Sequence, residues 1–69
     1  MGVAEVKPGQ IWRSDENHDD WLVTRTYHEL LDLYVVLRKT DGPEEESRRL
    51  KAQKDAEGYR LPGFTMIEG

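Results

Sequence analysis

Apolar and polar residues alternate through the middle of the chain. Leu33, Val35 and Leu37 share one parity, while Asp32, Tyr34, Val36 and Arg38 share the other. That period of two predicts a half-buried strand. Trp21 to Tyr27 is a second run of β-formers, and straight alternation would put Trp21, Val23 and Tyr27 on one face. Gln10-Ile11-Trp12-Arg13 reads as a shorter strand. It comes after Lys7-Pro8-Gly9, a turn signal in which proline presets one dihedral and glycine supplies the next. Ser14 to Asp20 is polar and reads as a loop.

Two readings compete over residues 26–41. Thr26-Tyr27-His28-Glu29 fits a capping box, and Leu30, Leu31, Tyr34 and Leu37 recur at helical spacing. Against this stands Tyr34-Val35-Val36-Leu37, whose β-branched pair is stiff and favours a pleated surface. The strand reading is preferred. It makes residues 28–31 a hairpin turn, although that turn contains no Gly, Asn or Pro.

From Asp41 onward the local rules predict a charged helix at about 43–57. Asp41 and Glu44 have capping spacing, and Pro43 suits a first helical turn. Glu44 to Glu46 precede Arg48, Arg49, Lys51 and Lys54, an order that complements the helix dipole. Glu44–Arg48 and Glu45–Arg49 are spaced four apart with the acid first. The weakness is the apolar face, which consists of Leu50, Ala52 and Ala56 alone. Residues 59–67 then read as a final strand interrupted by Pro62-Gly63.

These elements predict one α+β domain over residues 1–69, with 1–8 as a flexible lead-in. The expected architecture is a small bent antiparallel sheet, with strands near 10–14, 20–27, 32–39 and 59–67, and the charged helix between the last two. The expected core is Ile11 or Trp12, Trp21, Val23, Leu33, Val35, Leu37, Leu61 and Phe64, with Leu50 anchoring the helix.

Composition narrows the function more than it identifies it. Sixty-nine residues, of which 36% are hydrophobic, allow one small core. The absence of cysteine excludes disulfides and thiolate metal sites. No apolar run reaches membrane-spanning length and no signal peptide is visible, so a cytoplasmic location is expected and no membrane partner. The net charge of −4 argues against nonspecific phosphate binding. The charge is uneven, since residues 15–20 carry four acids and no base.

Candidate chemistry is sparse. His18, Asp19, Asp20, His28 and Glu29 have no metal-ligand spacing, and a solvated loop explains them better. Ser14 and Ser47 lie in no nucleophile motif, and the acids cluster in polar segments where nothing raises their pKa. No catalytic residue, metal ligand, cofactor or small-molecule site is assigned, and no enzyme is expected. What stands out is the interleaving of aromatic and basic residues on the predicted strands. Trp12, Arg13, Arg25, Tyr34 and Arg38, with the basic pair Arg48 and Arg49, form a candidate interaction surface.

Val6-Lys7-Pro8-Gly9-Gln10-Ile11-Trp12-Arg13 resembles the first strand of SH3-like small barrels. It is similar to the opening of PemK/MazF-type toxin endoribonucleases, of KOW-type modules of transcription and translation proteins, and of short phage and bacterial proteins. The resemblance covers eight residues and implies a small barrel. The Arg-Pro motif of the toxins is absent, so no catalytic role is carried over. The sequence supports three functional expectations. The first is a non-enzymatic protein-interaction module, such as a phage-encoded or regulatory accessory protein, binding a protein partner or a second copy of itself. The alternative is a nucleic-acid-binding barrel for single-stranded RNA or DNA. The most remote is a relic of a toxin-type endoribonuclease.

Overall fold

A computed structural model describes residues 3–42 and 46–69. Seven strands account for the regular structure: β1 (Ile11–Ser14), β2 (Asp20–Glu29), β3 (Asp32–Lys39), β4 (Ser47–Lys51), β5 (Gln53–Asp55), β6 (Gly58–Arg60) and β7 (Phe64–Glu68). Five of them form an antiparallel sheet in the order β4-β3-β2-β1-β7, and β5 and β6 form a separate hairpin. Among the described residues there is no helix.

The fold is therefore all-β, and the α+β expectation is corrected at one segment. Residues 47–51 and 53–55, expected inside a helix at 43–57, are instead β4 and β5. Pro43, Glu44 and Glu45 lie outside the described residues. The physical reason is burial. A helix here could bury little, whereas strand spacing sends Leu50 and Ala52 to the same face. Leu50 sits opposite Val35, and the Ala52 N–H donates to the Leu33 carbonyl at 2.9 Å. Ala52 is buried and Leu50 packs against the core. Side-chain pairs four apart are worth only about 0.2–0.5 kcal/mol each, too little to outweigh a ladder and a place in the core. The basic residues that suggested a helix instead line an edge strand, where charge discourages pairing with other chains.

Elsewhere the pleat obeys the alternation. Trp21, Val23, Leu33, Val35 and Leu37 point inward and are buried with Trp12 and Leu61. Ile11 and Phe64 are only half-buried, and Phe64 packs against the rim of the core. Residues 26–39 belong to the β2–β3 hairpin, and its turn is two residues, Leu30 and Leu31, between the paired Glu29 and Asp32.

The expected lead-in contributes to the structure. Val3 and Tyr59 exchange two backbone hydrogen bonds of 2.7 Å, and Val6 is 3% exposed within the core. Gly58 makes this approach possible: its φ is +122°, and a Cβ there would collide with the Val3 carbonyl. Two Pro-Gly turns shape the rest. Gln10 N–H donates to Lys7 O at 3.3 Å across Pro8-Gly9, and Phe64 N–H donates to Leu61 O at 3.0 Å across Pro62-Gly63.

The second layer over the inner face is thus the N-terminal segment, Ala52, the β5–β6 hairpin and Leu61. Arg48 and Leu50 of β4 line one groove together with Phe64 of β7. The sheet therefore curls until its two edge strands approach one another. Among the described residues, the opposite, outer face has no second layer.

Candidate functional site

The outer face is built by register. On β3, Tyr34, Val36 and Arg38 point away from the core because Leu33, Val35 and Leu37 point into it. On β2, Trp21 and Val23 point inward, but the pairing shifts between Val23 and Arg25. This bulge at Thr24 reverses the parity of the rest of the strand. Arg25 and Tyr27 consequently face outward, opposite Val36 and Tyr34. Tyr27 therefore does not share a face with Trp21 and Val23, as straight alternation implied. On β4, Arg49 sits opposite Val36.

These residues form a continuous stack. Tyr27 and Tyr34 lie with ring centroids 5.6 Å apart and an interplanar angle of 19°. The Arg25 guanidinium lies 5.3 Å from the Tyr27 centroid, and that of Arg49 lies 5.2 Å from the Tyr34 centroid. Arg49 also donates from Nη1 to Tyr27 Oη at 3.2 Å, which holds its pKa above the ordinary arginine value. Each guanidinium gains a cation–π contact that fixes its orientation while its charge remains in water. The face continues through Arg38 to Leu22 and Ile11, half-buried apolar residues on β2 and β1.

Five of the seven expected surface residues, Arg13, Arg25, Tyr34, Arg38 and Arg49, meet on this face. Arg13 is held by Asp20, with Nε 2.8 Å from Oδ1, and that hydrogen bond is the main reason its pKa is raised. The other two lie elsewhere. Trp12 is 0% exposed, and its indole N–H is taken by Gln10, so it offers no surface. Arg48 pairs opposite Leu37, which points inward, and lies over the Trp21 ring at 5.2 Å. It caps the open seam of the curled sheet instead. The Trp21 indole N–H behind it is buried without a partner among the described residues.

Sequence reasoning did not include Tyr27 in this surface. The signal was available in the turn: a two-residue loop at Leu30-Leu31 pairs Tyr27 with Tyr34. Nor did it single out the turn itself, where Leu30 is 95% and Leu31 97% exposed.

His18, Asp19, Asp20, His28 and Glu29 do not converge. Among the described residues no group of three or more His, Cys, Asp or Glu could hold a metal ion. Among the same residues no helix is long and apolar enough to cross a membrane. No protein family matches the chain, no curated protein is significantly similar to it, and no solved structure matches its fold.

Proposed function

We propose that the chain is a non-enzymatic protein-interaction module whose contact surface is the outer face of β2, β3 and β4. The observation that carries this reading is the Arg25–Tyr27–Tyr34–Arg49 stack on a sheet face that none of the described residues covers. Tyrosine and arginine are the residues enriched in the energetic centres of protein interfaces. Here both rings and both guanidinium groups hold each other in place before any partner arrives, which lowers the entropy lost on binding. Half-buried Ile11, Leu22 and Val36 supply apolar area beside them. Arg25, Arg38 and Arg49 favour a partner that presents carboxylates.

A second reading, single-strand nucleic-acid binding, draws support from the same basic and aromatic face. Base stacking on it meets an obstacle. Each tyrosine ring is already engaged by an arginine and by the other tyrosine, so a base must displace one of them.

Affinity capture with wild-type chain and with the Tyr34→Ala/Arg49→Ala variant tests the first reading, with matched thermal unfolding confirming that both are folded. A protein recovered by the wild type and lost by the variant is the expected result. Identical recoveries, or none, contradict it. Fluorescence anisotropy with labelled 20-mers of deoxythymidine and uridine at low salt tests the second. Salt-sensitive binding that the same variant abolishes would favour nucleic acid.

A further inference from the structure

We propose that the open edge of β4 takes a further strand from a partner protein, an extended segment of alternating acidic and apolar residues with an acid beside Arg49. The inference names a partner class for the protein-interaction reading above and rests on it. It uses the backbone edge of β4, however, and not the tyrosine stack.

The ladder fixes which backbone groups are open. The Ala52 N–H donates to Leu33 O at 2.9 Å, so Leu33 and Ala52 are a hydrogen-bonded pair. Bonded and non-bonded pairs alternate along an antiparallel ladder. Leu50 and Arg48 therefore bond to Val35 and Leu37 on β3, while Arg49 and Lys51 turn their N–H and C=O groups the other way. β4 is the last strand of its sheet, and among the described residues nothing bonds to Arg49 or Lys51 on that side. Such a row of unpaired donors and acceptors is a template for another extended chain. The opposite edge is not equivalent, because on β7 the Phe64 N–H is spent on Leu61 O at 3.0 Å.

The side chains select the strand. Residues 47–51 hold Arg48, Arg49 and Lys51 and no acid. Two copies of β4 edge to edge would set these cations against one another, an unfavourable pairing, so a second copy is the wrong occupant. A residue directly opposite Arg49 would share its face, the outer one. Among the described residues Arg49 has no carboxylate within ion-pair distance. Its Nη1 is held by the neutral Tyr27 hydroxyl, and Glu29 acts on it only from farther away. A carboxylate opposite Arg49 thus gains a charged partner. Lys51 adds less, since it already reaches Asp32 at 3.5 Å. The neighbouring residue of the incoming strand lies opposite Leu50 and points to the other side. There a groove of about 420 Å³ is lined by Leu50 and Phe64, which suits an apolar side chain. Asp15 and Glu16 border the same groove, so the acid belongs beside Arg49 and not within it.

The geometry also fixes which amides of the incoming strand matter. The residue opposite Arg49 exchanges backbone hydrogen bonds with it, so the acidic residues turn their N–H groups to β4 and the apolar ones turn theirs away.

Titration of the isotope-labelled chain with a capped heptapeptide of alternating glutamate and valine, read by amide NMR, tests the proposal. The expected result is binding with a dissociation constant of about 1 mM or below, with the Arg49 and Lys51 amides shifted downfield and slowed in hydrogen exchange. N-methylation of the glutamates should weaken binding at least fivefold, and N-methylation of the valines should not. A lysine–valine peptide should bind at least fivefold more weakly. Lys51→Pro removes one open-edge N–H at a position where an edge strand tolerates proline, and it should weaken binding by a similar factor. Thermal unfolding checks that this variant is folded, and the two N-methylated peptides make the same test on the wild type. No shift at Arg49 and Lys51 with any peptide overturns the proposal. So does equal binding of the two N-methylated peptides, which would reduce the contact to charge alone. Sedimentation showing that the chain self-associates, and that Lys51→Pro abolishes it, would give the edge to a second copy and also overturn it. Lys51→Pro leaves Arg25, Tyr27, Tyr34 and Arg49 in place. A partner still captured by that variant would keep the outer-face reading while this one fails.

Discussion

The indole N–H of Trp12 donates to Oε1 of Gln10 at 3.2 Å, inside the core. Nε2 of Gln10 in turn donates to the Glu5 carbonyl at 2.9 Å. One buried amide thus satisfies the largest core side chain and ties down the N-terminal segment that carries Val6. An unpaired buried donor costs about 1–3 kcal/mol. Gln10→Leu should lower stability by that amount in urea denaturation, with the slope unchanged. A double-mutant cycle with Trp12→Phe should show coupling between the two positions.

Gly58 tests the same N-terminal docking from the other side. Its φ of +122° and the Val3 carbonyl beside it leave no room for a Cβ. Gly58→Ala should cost about 1–3 kcal/mol and lower Tm by roughly 4 °C or more. Amide exchange at Val3 and Tyr59 should quicken more than exchange at Val35. Equal stability of variant and wild type would contradict the docking.

The hairpin tip offers a prediction of opposite sign. Left-handed backbone costs a residue other than glycine roughly 1–2 kcal/mol. Leu30→Gly should therefore raise thermal stability, or at least hold it, despite the usual penalty for glycine in a folded chain. A clear loss of stability would mean that Leu30 contributes packing that its 95% exposure denies.

On the outer face, Tyr34→Ala should be tolerated far better than Val35→Ala, its neighbour in the chain. Tyr34 is half-buried on a face that none of the described residues covers, and Val35 is fully buried. Truncating a buried aliphatic side chain leaves a cavity and costs several kcal/mol, about 2–5 for the larger ones. Comparable losses for the two variants would show that the outer face is covered in solution.

Much of this fold is legible in the sequence where side-chain burial keeps a simple period. Leu33, Val35 and Leu37 declare β3, and both Pro-Gly turns are visible as written. The misreading of 43–57 has a definite cause. The segment that becomes β4 is an edge strand, so its charges carry no alternation, and its spacing satisfies helix rules as well. Only Leu50 and Ala52, two apart, hint at a strand, and two small contacts are a faint signal. Tyr27 was obscured differently. The bulge at Thr24 changes parity in mid-strand, and nothing in Val23-Thr24-Arg25 announces it. The candidate surface was legible in its arginines, because exposed arginine on a predicted strand has few places to go. Trp12 was offered both to the core, as the alternative to Ile11, and to the surface, because an aromatic residue is as useful in one as on the other, and it is the core place that it takes. What decides it is the buried Gln10 that receives its N–H.

The outer face exists as one surface only if residues 47–51 pair with β3 and bring Arg49 to Tyr34. Backbone NMR tests that directly. Cross-strand contacts between Val36 and Arg49 and between Val35 and Leu50, with extended-chain chemical shifts over 47–51, are the expected result. Helical shifts through 46–57, with those contacts missing, would remove Arg49 from the face and contradict the account.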